Sequence, residues 1–390
     1  MKTFKYRIYP NKDTQIELNK WFGQSRFVWN YYLNKRTNTY KETKKSLSYN
    51  KIAKDLTQLK KEEDTSWLKE CPSQALQQTL MFLDSTFKDF FSRGKGYPKF
   101  KKRGISTDSL HFPQGFRIKN NKLYIPKIKD GIKVKFHRPI KGSIRNITVT
   151  RNKANQYFVS ILTNYSPKHK PKIEKEIGID LGLKHFVVCS DGIKIKMPHF
   201  TNKGADKLKK LQRRFAKTQK DSTNRENARL KLAKHQIHIS NQRTDFLHKV
   251  SAKLINENQV IATETLQVKS MVRNKKLSKH ISNASWGTFT TMLEYKAKWY
   301  GREIRKVDKF FPSSKMCNHC CHIKQDLKLN DRIITCSKCG TSYDRDINAA
   351  KNILNFAVGT TVKACGVSSV GADAKADVRH DITKQEAQNL

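Results

Sequence analysis

The sequence of 390 residues lacks a long hydrophobic run, an internal repeat and enough acidic residues to balance its basic ones. No stretch approaches the ~18 apolar residues of a membrane helix, so we expect no membrane span. The first ten residues alternate apolar and basic side chains, which predicts a strand and is unlike the apolar core of a signal peptide. These absences lead us to expect a cytoplasmic protein.

The shortage of acidic residues leaves a large positive charge. Lys and Arg number 79, Asp and Glu 33, and the net charge is +46 at pH 7. Such a charge repels itself unless a polyanion neutralises it, and contacts from Lys and Arg to phosphates are the usual solution. We therefore expect a nucleic acid partner and association with the nucleoid. A solvated basic surface is the plainer alternative.

The first half of the sequence predicts a small β-barrel with a helical insertion. Residues 1–10 and period-two stretches within residues 106–171 favour short antiparallel strands. Between them, residues 11–105 have helical spacing and predict a helical recognition domain. We expect its first part to be two short helices that meet at Gly23, as in a helix-turn-helix.

The second half predicts an RNase H-like fold, so the whole chain is expected to be a multidomain α/β protein. The expected order is three strands, helix, strand, helix, strand and helix. This domain would comprise residues 172–312 and 343–358, with a zinc ribbon inserted at residues 313–342. We expect residues 359–390 to form a mobile tail.

Two C-x-x-C pairs, separated by fifteen residues, have the spacing of a zinc ribbon. Four thiolates satisfy a tetrahedral ion at every position, so the expected zinc is structural. A redox dithiol and buried thiols are the alternatives. The expected ligands are Cys317, Cys320, Cys336 and Cys339. Possible substitute ligands are His319, Cys321 and His322, whereas Cys71, Cys189 and Cys365 are expected to be buried or incidental.

Three acidic residues lie at the ends of apolar runs or at the start of a predicted helix, where a carboxylate indicates a specific role. Asp180 follows the apolar strand pattern Gly178-Ile179, Glu264 ends another apolar run, and Asp346 starts a helix. In an RNase H-like sheet the first and fourth strands are neighbours, which would bring the three together. Hard oxygen ligands suit Mg²⁺, and two such ions cleave phosphodiesters without a protein nucleophile. Taken singly, each acid has a structural explanation, such as a helix cap for Asp346.

The combination resembles the TnpB-type transposon-encoded proteins (OrfB family transposases), which are related to compact type V CRISPR nucleases. The resemblance covers nearly the whole chain, and early segments such as Tyr6-Arg7-Ile8-Tyr9-Pro10 match as well. The motifs that carry it are Gly178-Ile179-Asp180-Leu181-Gly182, Glu264-Thr265-Leu266-Gln267-Val268, Ser313-Ser314-Lys315-Met316-Cys317 and Asp344-Arg345-Asp346-Ile347-Asn348-Ala349-Ala350. Thr265 and Cys321 depart from the usual pattern without removing a metal ligand.

The resemblance implies a RuvC-like nuclease domain preceded by a wedge-like barrel. It implies a guide RNA from the element's own end, a double-stranded DNA target, and catalysis by two Mg²⁺ ions held by Asp180, Glu264 and Asp346. The expected activity is that of an RNA-guided DNA endonuclease. A non-cleaving nucleic-acid-binding regulator of transposition is the second hypothesis, and a purely structural RNA-binding protein the third.

Overall fold

The computed structural model describes residues 1–198, 202–275, 277–327 and 331–359. These residues form two compact units: Met1–Ser166 with Leu208–Ile237, and Pro167–Lys207 with the rest of the chain from His238. The expected mobile tail beyond residue 359, including Cys365, lies outside the described residues. No helix in the described ranges is both long and apolar enough to cross a membrane.

A seven-stranded antiparallel sheet forms the centre of the first unit, in the order β2-β6-β7-β1-β5-β4-β3. The period-two pattern is reproduced in β7, where alternate side chains are buried. Because β2 and β3 end the order, hydrogen bonds do not close the sheet into a complete barrel. The strands are β1 Lys2–Tyr9, β2 Asp108–Phe112, β3 Arg117–Lys119, β4 Lys122–Tyr124, β5 Ile132–Lys135, β6 Ile144–Arg151 and β7 Tyr157–Thr163.

Helices pack with this sheet in one apolar core. They are α1 Lys12–Thr43, α2 Tyr49–Leu59, a 3₁₀ helix at Glu63–Glu70, and α3 Ser73–Arg93. The expectation of two short helices meeting at Gly23 is wrong, because α1 continues through it. Buried side chains on both sides of the glycine, such as Phe22 and Val28, hold the helix in place. Their packing outweighs the ~1 kcal/mol that a glycine costs within a helix.

Two long helices, α4 Asn202–Lys217 and α5 Thr223–Glu257, follow three short strands of the second unit. The sheet of this unit has the order β10-β9-β8-β11-β12. Its first and fourth strands, β8 and β11, are parallel neighbours as expected, and β12 is parallel to β11. The strands are β8 Glu176–Asp180, β9 Val187–Cys189, β10 Lys194–Ile195, β11 Val260–Glu264 and β12 Glu303–Val307.

The remaining helices are α6 Val268–Met271, α7 Ser278–Ala284, α8 Trp286–Tyr300 and α9 Arg345–Val358. Helix α8 buries Trp286, Phe289 and Leu293 in the core that covers β8, β9 and β11. Between β12 and α9 the chain forms a small antiparallel pair, β13 Ile333–Thr335 and β14 Ser342–Asp344. This pair belongs to the segment that the cysteine spacing predicted as a ribbon.

Candidate active site and four-cysteine cluster

Asp180 and Glu264 stand at the carboxyl ends of neighbouring parallel strands. The register pairs Ile179 of β8 with Thr263 of β11, so the next residue along each strand is one of the two acids. Neighbouring strands lie about 4.8 Å apart, and residues in register share a face of the sheet. The backbone therefore places these two carboxylates side by side.

Asp346 reaches the same end of the sheet on the first turn of α9. The helix packs so closely on β8 that a Cβ added to Gly178 would lie 2.0 Å from the backbone oxygen of Ala350. The N-cap is Asp344, whose carboxylate accepts hydrogen bonds from the backbone N–H groups of Asp346 and Ile347. Asp346 is thus not the cap of its helix.

The pKa of Asp180 reflects the negative charges of the other two acids at this end of the sheet. Burial, together with the negative charges of Glu264 and Asp346, raises the pKa of Asp180 to about 7. Burial also raises the pKa of Glu264, against the effect of a hydrogen bond from Ser313. A bound divalent cation would relieve the cost of ionising a buried carboxyl beside other acids.

Two neighbours of these acids had no role predicted from the sequence, although Ser313 begins one of the motifs that carry the resemblance. The Ser313 hydroxyl donates a hydrogen bond to Glu264 Oε1. Arg332, just before β13, forms an ion pair with Asp346, with 3.3 Å between Nη1 and Oδ2. Both lie in residues 313–342, the segment that contains the four cysteines (the cysteine segment). Ser313 is 49 residues from Glu264 in the sequence, and Arg332 is 14 residues from Asp346. Contacts between residues this far apart in the sequence can be identified only from the folded structure.

The four expected cysteines come together as one cluster. Their sulfur atoms all lie within 4.8 Å of one another, with 3.8 Å between Cys317 and Cys339 and 3.5 Å between Cys320 and Cys336. A tetrahedral zinc with bonds of about 2.3 Å requires sulfur separations of about 3.8 Å. The donor set therefore fits a structural zinc ion with no open position. Among the described residues, the three carboxylates are not grouped as tightly as these thiols.

Among the described residues, the remaining cysteines and the two candidate histidines are not part of the four-cysteine cluster. Cys71 and Cys189 are buried, as expected. His322 shares a hydrogen bond with the hydroxyl of Ser337 at 3.1 Å, and His319 is exposed to solvent. Neither histidine is needed as a substitute ligand when four thiols already surround one point.

Three family models match the chain. Residues 156–275 match a model described as a probable transposase (OrfB of IS605), and residues 286–353 match a Cas12f1-like TNB domain. Residues 1–45 match a helix-turn-helix domain, although the structure has one continuous helix at Gly23. The first two matches cover the three acids and the four cysteines between them.

Solved structures share the fold at low sequence identity. A Cas12f1–sgRNA–target DNA complex superposes with a TM-score of 0.56 at 16% identity, covering 89% of this chain and 83% of that one. The mini-RNA-guided endonuclease CRISPR-Cas_phi3 gives 0.50 at 10% identity, covering 92% of each chain. These similarities show a shared mixed α/β architecture.

Curated relatives match over nearly the full length. A Streptomyces pristinaespiralis protein named "Putative RNA-guided DNA endonuclease" is 38% identical over 94% of this chain and 91% of its own length. The Escherichia coli K12 protein InsQ, with the same description, is 30% identical over 94% of each. A mimivirus TnpB-like protein, L79, is 23% identical over 90% of this chain and 72% of its own. On these matches, the chain belongs to the OrfB-type (TnpB-like) transposase family.

Proposed function

We propose that this protein is an RNA-guided, Mg²⁺-dependent DNA endonuclease of a transposable element. The observation that carries the proposal is the register that places Asp180 and Glu264 at the ends of neighbouring strands, where the charges of Glu264 and Asp346 contribute to the raised pKa of Asp180. The names of the relatives support the same activity. Guide RNA and double-stranded target DNA are the proposed partners, and the cytoplasmic nucleoid is the proposed location.

The sheet order and the position of α9 support a RuvC-like assignment for the nuclease domain. Strands β8, β11 and β12 are parallel, β9 is antiparallel to β8, and β10 is antiparallel to β9. These are the neighbour relations expected of an RNase H-like sheet. We assign residues 172–312 and 343–358 to this domain and residues 313–342 to the ribbon. Residues 1–10 and 106–171 are assigned to the wedge-like domain, and residues 11–105 to recognition.

The chain's own residues prepare the site for cations. Near neutral pH, part of the Asp180 population holds a proton, which must leave before the carboxylate can bind a metal. Asp344 fixes the first turn of α9, and Lys194 holds Asp344 at 2.6 Å. Two bound Mg²⁺ ions would supply an activated water and stabilise the leaving 3′ oxygen. No protein nucleophile is then needed.

The test is to purify the protein from cells that carry its own locus, sequence the bound RNA, and assay cleavage of matched DNA with Mg²⁺. We expect cleavage by the wild type and none by Asp180→Ala, with RNA binding retained. Asp245→Ala, at an exposed acid paired with Lys249 on α5, serves as the matched control and should cleave normally. Undiminished cleavage by Asp180→Ala would reject the site. Binding without cleavage by the wild type would favour the regulator of transposition.

A further inference from the structure

Two buried asparagines on α9 hold the segment that leads into the cysteine cluster. Asn348 and Asn352 are 2% and 1% exposed. Their side-chain amides donate to the backbone oxygen of Met316 at 2.7 and 2.6 Å, and Asn352 also donates to the backbone oxygen of Ser313 at 2.8 Å. Asn348 Oδ1 accepts from the backbone N–H of Asn318 at 2.8 Å. The helix that begins beside Asp346 therefore also fixes the backbone on both sides of Cys317.

Ser313, fixed in this way, carries the hydroxyl that contacts Glu264. It is 4% exposed, so water does not compete freely for its hydrogen bond. Among the described residues, Ser313 is the one side chain that donates a hydrogen bond to the Glu264 carboxylate. A carboxylate that accepts a hydrogen bond from a fixed hydroxyl has a preferred orientation. This orientation limits the directions in which its other lone pairs point.

We propose that Ser313 is a positioning residue for Glu264, and that Asn352 acts through Ser313 to join the cysteine segment to the acidic metal site. This inference rests on the proposed function, since it concerns how the site binds its divalent ions. Residues that orient a metal-binding carboxylate typically change metal affinity by about 10-fold to 100-fold when they are removed. The Ser313→Ala variant should therefore bind divalent metal at least about 10-fold more weakly, and Ser313→Thr should restore binding.

The experiment titrates the full-length protein with Mn²⁺, followed by electron paramagnetic resonance, without substrate. Binding that is lost in Asp180→Asn defines the signal of the acidic site. Zinc content is measured in each sample, so that weaker Mn²⁺ binding is not confused with loss of the cysteine cluster. The matched control is Ser314→Ala, at the next residue, which is half-buried and should bind Mn²⁺ as the wild type does.

Asn352→Ala provides the second, independent variant. It should weaken Mn²⁺ binding in the same direction, and it should add nothing in a Ser313→Ala background, because both act on the same carboxylate. Wild-type affinity in Ser313→Ala, or additive losses in the double variant, would overturn the proposal. If the wild type itself shows no Asp180-dependent Mn²⁺ binding, the proposed metal site fails as well, which distinguishes the two failures.

Discussion

Replacing Asp180 with Asn should make the metal-free protein more stable at neutral and alkaline pH. The wild-type carboxyl has a pKa of about 7 in the folded protein against an ordinary 3.8, because it is buried beside Glu264 and Asp346. Between pH 4 and 7 the folded state keeps a proton that the unfolded chain has released. Stability therefore falls as pH rises through this range and is level above pH 7.

The difference between the two pKa values corresponds to a cost of up to about 4 kcal/mol at pH 8. The amide of Asn avoids it, so the Asn variant should melt up to about 10 °C higher at pH 8, with a difference that shrinks toward pH 5. Thermal unfolding is measured from pH 5 to pH 8 in metal-depleted buffer without a chelator, so that the cysteine cluster keeps its ion. Asp245→Asn, at an exposed acid, is the control.

Added Mg²⁺ should reverse this order, because an ion that binds only the folded state stabilises it by mass action. The wild type should gain stability with Mg²⁺, and Asp180→Asn should gain little. Equal stability of the two proteins at pH 8 without metal, or an identical response to Mg²⁺, would refute the claim that ionising the buried Asp180 beside two other acids is costly.

Three further predictions concern the cluster, the sheet and the overall charge. Cys336→Ser should reduce bound zinc from about one ion per chain to a small fraction by metal analysis, since three thiols and a hydroxyl bind it poorly; full retention would contradict the cluster. Gly178→Ala should destabilise the protein by more than about 3 kcal/mol in urea unfolding, because its Cβ would overlap the backbone of α9, and a cost below about 1 kcal/mol would disprove that packing. The logarithm of the affinity for nucleic acid should fall steeply and linearly with the logarithm of the salt concentration, and binding indifferent to salt would contradict the phosphate-contact argument.

Local pattern predicted much of the second unit. The strands at Asp180 and Glu264 and the helix at Asp346 follow from short apolar runs and helical spacing, and the cysteine spacing gave four residues that do meet. The pairing of β8 with β11 followed once the order of elements was known. Gly23 shows the limit of this reasoning, since tertiary packing decides whether a helix ends at a glycine.

The finer parts of the site were beyond the reach of sequence reasoning. Asp344, two residues from the expected ligand, is the true helix cap, which only backbone geometry distinguishes from Asp346. Ser313 and Arg332 have no special spacing relative to the acids that they contact. Their roles depend on how the cysteine segment folds back onto α9, through buried amides such as that of Asn352.

Anomalous diffraction from crystals of the protein with guide RNA, matched DNA and Mn²⁺ tests the central claim most directly. We predict two manganese peaks about 4 Å apart, ligated by oxygens of Asp180, Glu264 and Asp346 and placed over the scissile phosphate. Manganese bound elsewhere, with these three carboxylates empty in the loaded complex, would contradict the account.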